Sequence, residues 1–366
     1  MNKKILALLL MLISIFNVYA ATDLDIGNKK VAVKITKILK TYETEEGIQF
    51  QNIEAEIISG KDKGKVINAE FCLESYDMVE VDLLRAGEKV IVMSDTELDG
   101  KIIVIEKYRQ DAIILLILIF IGLIAIIGGK QGIKTLISLG ATVLSIVYIL
   151  IPGILNGMKA MPLTILCSIV ITLITLILVG GFNKKTFVSI LGTLSGVLIA
   201  GILVMVFSKL GNITGMMNEE ARLLLYASQG DKIDVQGLFF AGIILGTLGA
   251  TMDITMSISS AMTEIMTKAK KISIRELIKS GYTVGKDAMG TMSNTLILAY
   301  VGESLILIIL LIYNNSSDPL ALFNSDFLNA ELLRSICGTI GMISAIPLTT
   351  LIFGFMAANN KEIIED

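Results

Sequence analysis

The sequence predicts an all-α polytopic membrane bundle of about seven transmembrane helices, preceded by a small all-β domain. The mean hydropathy is +0.75, 54% of the residues are hydrophobic and 18% are charged, which is unlike an ordinary soluble domain. Stretches of about 20 apolar residues, the length of helix that crosses a hydrocarbon core, recur after residue 110. Residues 21–110, by contrast, are rich in charge and alternate polar with apolar side chains.

Residues 1–20 predict a secretory signal peptide. Two lysines precede an apolar run at residues 5–16, and Val18 and Ala20 place small side chains at the −3 and −1 positions of a cleavage site. An uncleaved signal anchor is the alternative. Either segment would deliver the residues that follow it to the extracytoplasmic side.

Residues 21–110 predict a small extracytoplasmic β domain. They contain 13 Lys and Arg against 18 Asp and Glu, so the segment is soluble and anionic. Turn signals at residues 60–64 and at Asp99-Gly100 separate runs that have the period of a strand. The apolar positions of these runs are Val31, Val33 and Ile35, then Ile53, Ala55 and Ile57, then Ala69 and Phe71, then Ile103 and Ile105. Five such strands favour a closed or partly closed, OB-like barrel, which is a scaffold and indicates no ligand.

Residues 111–360 predict the transmembrane domain, and residues 361–366 a cytoplasmic tail. The predicted spans are residues 112–128, 133–152, 161–180, 187–209, 237–262, 288–312 and 334–357. Seven crossings that start outside end in the cytoplasm, and the loops that then lie inside hold an excess of Lys and Arg, as the positive-inside rule requires. These inner charges are Lys130, Lys134, Lys184, Lys185, Lys268, Lys270, Lys271, Arg275, Lys279 and Lys286. The predicted location is the bacterial plasma membrane.

Small residues recur at spacings of three and four on two of the predicted spans. Gly192 and Gly196 lie on the fourth span, and Gly242, Gly246 and Gly249 lie on the fifth. Apolar side chains gain little by leaving lipid tails, so membrane helices associate through close contact at small residues. Helix packing is therefore the first interpretation of these glycines.

Asp253 is the candidate functional residue of the fifth span. It shares one helical face with Ser257, Ser260 and Glu264, in line with the glycines. A carboxylate at the centre of a span costs about 2.5–3.5 kcal/mol on insertion scales, so it usually faces protein or water and performs a task. A protonatable role in a proton or substrate path is one interpretation. The other is a hydrogen bond that fastens two helices.

The sixth span begins with a second polar face, formed by Asp287, Thr291 and Asn294. The fifth and sixth spans run antiparallel, so we expect this face to meet Asp253 and to line the same path. Asp287 has an alternative role as an acidic residue in a first helical turn. A capping-box spacing at Ser273 and Glu276 predicts a separate short helix on the cytoplasmic surface before this span. Glu303, near the outer end, ranks below Asp253.

The sequence argues against several classes of function. It contains no histidine, and its three cysteines, Cys72, Cys167 and Cys337, are far apart and form no CxxC pair, so no metal site or cofactor is expected. It has no phosphate-binding glycine loop and no nucleophile elbow. Nor does it have a basic stripe with interleaved aromatic residues. We therefore expect neither an enzyme nor a protein that binds nucleotides or nucleic acid.

Three motifs stand out in the helical region. They are Gly181-Phe182-Asn183-Lys184-Lys185, Gly246-Thr-Leu-Gly249-Ala-Thr-Met-Asp253 with Ser257 and Ser260, and Gly285-Lys-Asp287 through Gly290-Thr-Met-Ser-Asn294-Thr295 and Ala299-Tyr300. Through these motifs the chain resembles, over roughly residues 110–310, the YibE/YibF-like family of bacterial membrane proteins. This resemblance implies the architecture of the helical region but says little about its mechanism. The hairpin around Asp253 and Asn294 is similar, more weakly, to one hairpin of SecD/SecF and resistance–nodulation–division transporters, in which intramembrane carboxylates carry protons.

The leading hypothesis is a transporter or export-type permease in which Asp253 takes up and releases protons. The alternative is a non-catalytic membrane scaffold or assembly factor, whose β domain recruits envelope or secreted partners. Besides the lipid bilayer, the expected partner is a second copy of the chain or a related membrane subunit.

Overall fold

The structure is a computed structural model, and it describes residues 30–44, 48–60, 62–73, 83–95, 101–215, 219–227, 233–269, 272–314 and 318–358. The predicted signal segment at residues 1–20 and the predicted tail at residues 361–366 lie outside these ranges. The chain divides into two compact units, Met1–Gly128 and Gly129–Asp366.

The first unit contains the predicted barrel. Its strands are β1 (Val31–Glu43), β2 (Gln49–Ile57), β3 (Val66–Leu73), β4 (Lys89–Asp95) and β5 (Lys101–Lys107). They close in the order β1-β2-β3-β5-β4, with β4 paired to β1. All pairs are antiparallel except β3 with β5. A closed barrel leaves no sheet edge free to pair with another chain.

The barrel core follows the predicted alternation on β1 and β2 and differs on β5. Alternate apolar side chains of β1 and β2 are buried, as predicted, and β4 adds two valines that the sequence analysis did not single out. On β5 the buried residue is Val104, and the expected core positions Ile103 and Ile105 are only half-buried. The reason is that residues 102–105 are all apolar, so their pattern does not specify a face.

One buried polar side chain connects the barrel wall to the loop before β4. The Oε1 atom of Gln51 accepts a hydrogen bond from the backbone N–H of Leu84 at 2.8 Å, and its Nε2 donates to the carbonyl oxygen of Leu84 at 3.4 Å. Gln51 is 3% exposed. A buried amide is tolerated when both of its ends are bonded, and here they fix the loop to the barrel.

The remaining elements are helices, most of them long. They are α1 (Gln110–Ser145), a π-helical turn (Ile146–Leu150), α2 (Ile151–Leu155), α3 (Ala160–Gly180), α4 (Lys184–Gly211), α5 (Glu219–Ala227), α6 (Val235–Lys268), α7 (Ile274–Glu303), α8 (Leu305–Asn314), α9 (Pro319–Phe323) and α10 (Asp326–Ala358). Within the described residues, five helical segments are long and apolar enough to cross a membrane, or six if the bent pair α7 and α8 forms one span.

The first of these segments, Gln110–Leu155, accounts for much of the difference from the seven predicted spans. It is 46 residues long, or about 70 Å at 1.5 Å per residue, more than twice the thickness of a hydrocarbon core. Its helical geometry is broken at Gly129, where φ is 51° and ψ is −127°. Glycine adopts this backbone conformation without steric cost, and a β-carbon would make it strained.

The helix of the sixth predicted span starts earlier than predicted and is bent inside the span. Ser273 and Glu276 form the predicted capping box, but the helix that they start does not stop; it continues to Glu303 as α7. The chain then bends by 62° before α8. The predicted surface helix and the predicted span at residues 288–312 are therefore parts of one longer, broken helix.

The second unit is held together by close contacts among α4, α6 and α10. A β-carbon on Gly196 would lie 2.7 Å from the carbonyl oxygen of Gly341 and 2.9 Å from atoms of both Ala345 and Thr251. One turn away, Gly192 lies against Thr349 and Thr255. The hydroxyl oxygens of Thr193 and Thr255 add a hydrogen bond of 2.8 Å between α4 and α6. Small residues thus bring three backbones together, as in membrane bundles generally.

We predict that Gly196→Ala destabilises the protein, because the added methyl group overlaps atoms of two neighbouring helices. Overpacking of this kind typically costs about 1–3 kcal/mol. The midpoint of thermal unfolding in detergent should fall. Gly249→Ala is the matched control, since its β-carbon meets open space and alanine has the higher helix propensity. An equal loss in both variants would contradict the described packing.

Candidate functional site

Helix α6 is enclosed on all sides but one. Thr251 and Thr255 face α4, Thr247 lies beside Gly338 of α10, and Ile254 and Ile258 pack in a cluster with α7 and α10. Helix α3 covers a further side, where Ile171 packs with Ile244 and Leu248. The residues on the remaining side are exposed and recur every three or four positions: Gly242, Gly246, Gly249, Asp253 and Ser257. We call this set the open stripe of α6.

Asp253 is the acidic residue at the middle of the open stripe. Within the described residues, no hydrogen bond or ion pair reaches its carboxylate, and none reaches the hydroxyl of Ser257. Ser260, one turn further, is half-buried. Glu264, on the same face beyond Ser260, forms an exposed ion pair with Lys268 at 2.6 Å. Asp253 therefore differs from Glu264 in lacking a partner, and a carboxylate in an apolar helix needs water, protein or a proton beside it.

The glycines predicted to pack helices fall into two groups. Gly192 and Gly196 lie in the contact of α4 with α6 and α10 described above. Gly246 lies against the hydroxyl group of Tyr300 on α7. Around Gly242 and Gly249 no atom of the described residues would come within 4 Å of an added β-carbon. The last two glycines thus widen the open stripe rather than join two helices.

Helix α7 runs antiparallel to α6, and the two helices contact each other at two points. Gly285 lies against Ile258 at one end of this contact, and Tyr300 lies against Gly246 at the other. Asp253 falls between these points on α6, and Thr291 and Asn294 fall between them on α7. The three side chains therefore occur at similar depth.

The expectation that the polar face of α7 meets Asp253 stays a prediction. Asp287, Thr291 and Asn294 are exposed, and the residues that α7 buries include Gly281 and Gly285. These glycines allow α7 to approach Ile258, Met262 and Ile346 closely, and the three polar residues are not part of that contact. The Oγ1 of Thr291 donates to the carbonyl oxygen of Ala288 at 3.0 Å. Within the described residues, no hydrogen bond or ion pair joins this polar face to Asp253.

A charged cluster that the sequence analysis did not identify lies at the other end of the same helices. Arg334 of α10 is the centre of it: its Nη1 atom is 3.4 Å from Oε1 of Glu331 and 3.9 Å from Oε2 of Glu303. Its guanidinium also lies 5.3 Å from the ring centroid of Phe239 and 6.0 Å from that of Tyr300. The side chains of Arg334 and Glu331 are 17% and 11% exposed, whereas that of Glu303 is 69% exposed.

Among the described residues, two buried polar atoms of this cluster have no hydrogen-bond partner. They are Oε2 of Glu331 and Nε of Arg334. Leaving one such atom unpaired costs about 1–3 kcal/mol, so a water molecule bound here would be stabilising. The spacing Glu331-x-x-Arg334 could have indicated an ion pair from the sequence, but the pairing of Arg334 with Glu303 can be seen only in the fold.

We predict that Arg334→Gln lowers the thermal stability sharply. The change leaves Glu331 buried without its counter-charge, and removal of one partner of a buried pair typically costs about 3–5 kcal/mol. Adding Glu331→Gln to Arg334→Gln should recover much of the loss. Thermal unfolding in detergent measures both effects.

The matched control is Lys268→Gln, which breaks the exposed pair with Glu264 and should change the unfolding midpoint little. If Arg334→Gln were as mild as this control, the cluster would not be a buried ion pair.

Comparison with known proteins adds one finding. The family model for the YibE/F-like proteins matches residues 116–359. No curated protein and no solved structure matches the chain. The weaker similarity to a hairpin of SecD/SecF and related transporters is not shown by this family match and stays a prediction.

Proposed function

The chain belongs to the YibE/F-like protein family, and from this premise we propose that it is a multi-pass membrane permease of transporter or export type. In this proposal Asp253 is the carboxylate that takes up and releases a proton during the transport cycle. The observation that carries the proposal is a carboxylate that has no partner among the described residues and lies on the open side of a helix that is otherwise enclosed.

The proposal includes seven crossings. Gly129 divides the first apolar segment into residues 110–128 and 130–155, each of which spans a hydrocarbon core of about 30 Å at 1.5 Å per residue. The bent pair α7 and α8 counts as one crossing, and the helices α3, α4, α6 and α10 supply the other four. With the barrel outside, this arrangement keeps the lysine-rich loops in the cytoplasm and agrees with the positive-inside rule.

Two physical arguments favour a moving proton over a fixed charge at Asp253. A permanently ionised carboxylate beside lipid would cost about 2.5–3.5 kcal/mol, and no cation among the described residues pairs with it to offset this cost. A carboxyl group that can be neutral beside lipid and ionised beside water is stable in both environments. The glycines beside it leave room for water, which can bring the proton.

We predict that proteoliposomes with the purified protein dissipate an imposed pH gradient and that Asp253→Asn abolishes this flux. Asparagine keeps the shape of the side chain but cannot exchange a proton at neutral pH. A pH-sensitive dye inside the vesicles measures the flux, with empty vesicles as the baseline.

Glu264→Gln is the matched control, because Glu264 lies on the same face of α6 but is paired with Lys268; its flux should equal that of the wild type. Both variants must unfold at the wild-type temperature. Equal flux in the wild type and in Asp253→Asn would contradict a proton site at this residue.

The alternative function, a membrane scaffold, has its own supporting observation. The OB-like barrel has its own apolar core and belongs to a separate compact unit, so it can serve as a recruiting domain. For a scaffold, deletion of residues 22–108 should abolish the cellular function while Asp253→Asn preserves it. For a permease we expect the loss with Asp253→Asn. A phenotype of the deleted gene, complemented by each variant, provides the measurement.

A further inference from the structure

The turn between α3 and α4, Gly181-Phe182-Asn183-Lys184-Lys185, has no role in the proposed permease mechanism, but its conformation is fixed by hydrogen bonds. The side chain of Asn183 bonds to the end of α3 and to the start of α4. Its Oδ1 accepts a hydrogen bond from the backbone N–H of Thr186 at 3.0 Å, and its Nδ2 donates to the carbonyl oxygen of Gly180 at 2.6 Å. Gly181 makes the turn with a φ of 78°. Lys184 and Lys185 are consequently held at the first two positions of α4.

Two lysines at a helix N-terminus are not explained by the stability of the helix. The N-terminal end carries the positive pole of the helix dipole, which favours acidic side chains and disfavours lysine by a few tenths of a kcal/mol or more. The first turn of α4 contains no acidic residue. Among the described residues, neither Lys184 nor Lys185 is part of an ion pair. The charges add to the helix dipole and produce a local excess of positive potential.

A cavity of about 340 Å³ lies directly beside these lysines. Its rim includes Lys184 and Lys185, and its walls are mostly apolar, with Met266 from the end of α6 and Phe353 and Met356 from the end of α10. Among the described residues, no acidic side chain lines it. The cavity therefore combines a cationic mouth with an apolar interior.

The position of the cavity narrows the choice of ligand. Its walls are the terminal turns of α4, α6 and α10, three of the helices long and apolar enough to cross a membrane. Phe182, next to the lysines, is 93% exposed, as expected of an aromatic side chain that enters the interfacial region of a bilayer. A free inorganic anion would use the lysines but not the apolar walls.

We propose that this cavity binds an anionic phospholipid from the surrounding membrane leaflet. The phosphate lies at Lys184 and Lys185, and the upper part of one acyl chain lies against Met266, Phe353 and Met356. Basic residues at the ends of membrane helices bind anionic headgroups in this way. The proposal needs the helices to lie in a bilayer, but it is independent of any role of Asp253, so it can fail or hold without the permease function.

The absence of tryptophan from the chain makes a direct test possible. The variant Met266→Trp places the one indole fluorophore in the cavity, and Met356→Trp is a second reporter in case the first does not fold. Each full-length variant is reconstituted in phosphatidylcholine bilayers that contain either brominated phosphatidylglycerol or brominated phosphatidylcholine. Bromine on an acyl chain quenches the indole only on contact.

We expect phosphatidylglycerol to bind at the reporter at least about fivefold more strongly than phosphatidylcholine, the ratio that one lysine near a surface provides. The pair of changes Lys184→Gln and Lys185→Gln should remove this preference, and the pair Lys130→Gln and Lys134→Gln should leave it. Leu198→Trp, an exposed site midway along α4, should show no preference.

Four results would overturn the proposal. The first is equal quenching by the two lipids, and the second is a preference that survives loss of both lysines. The third is a preference that emerges only after deletion of residues 359–366, which would make that acidic segment the occupant. Added inorganic phosphate at millimolar concentration should not displace the lipid; full displacement would indicate a site for a free anion and would equally overturn the proposal.

Discussion

The close approach of α4, α6 and α10 at small residues is the contact on which the rest of the helical unit depends. In water, apolar side chains would drive helices together, but in lipid they gain little by association. Dispersion between touching backbones must supply the attraction, and it falls quickly with distance. Gly196 and Gly341 permit that contact, and each would prevent it if it carried a larger side chain.

Several threonine hydroxyl groups of this core are bonded within their own helices. Thr247 and Thr251 donate to the carbonyl oxygens of residues four positions earlier on α6, and Thr349 does the same on α10. These bonds satisfy the hydroxyl groups without a partner from another helix. Asp253 has no such bond among the described residues. Its position on the uncovered side of α6 is thus the feature that helix packing does not explain.

The sequence predicted those parts of the fold that depend on local pattern and failed where long-range contact decides. Charge and alternation at residues 21–110 predicted the five-stranded barrel, and apolar length predicted most of the helices. The continuous helix from Ile274 was missed because a cap signals where a helix begins but not where it ends. The grouping of Glu303 with Arg334 was missed because thirty residues and two further helices separate them in the chain. The contact that α7 makes through Gly281 and Gly285 was not predicted, because glycines in a helix do not indicate which helix they will face.

The two polar regions of the helical unit are connected through Tyr300 and Gly246. Tyr300 belongs to the cluster around Arg334, and its hydroxyl group lies against Gly246 on the open stripe of α6. Asp253 is seven residues further along the helix, two turns or about 10 Å. A permease with a proton site at Asp253 needs access for protons from one side of the membrane. The phenol group of Tyr300 lies between the cluster and the stripe. In the proposed permease, the glycines between Tyr300 and Asp253 are therefore where we expect that access.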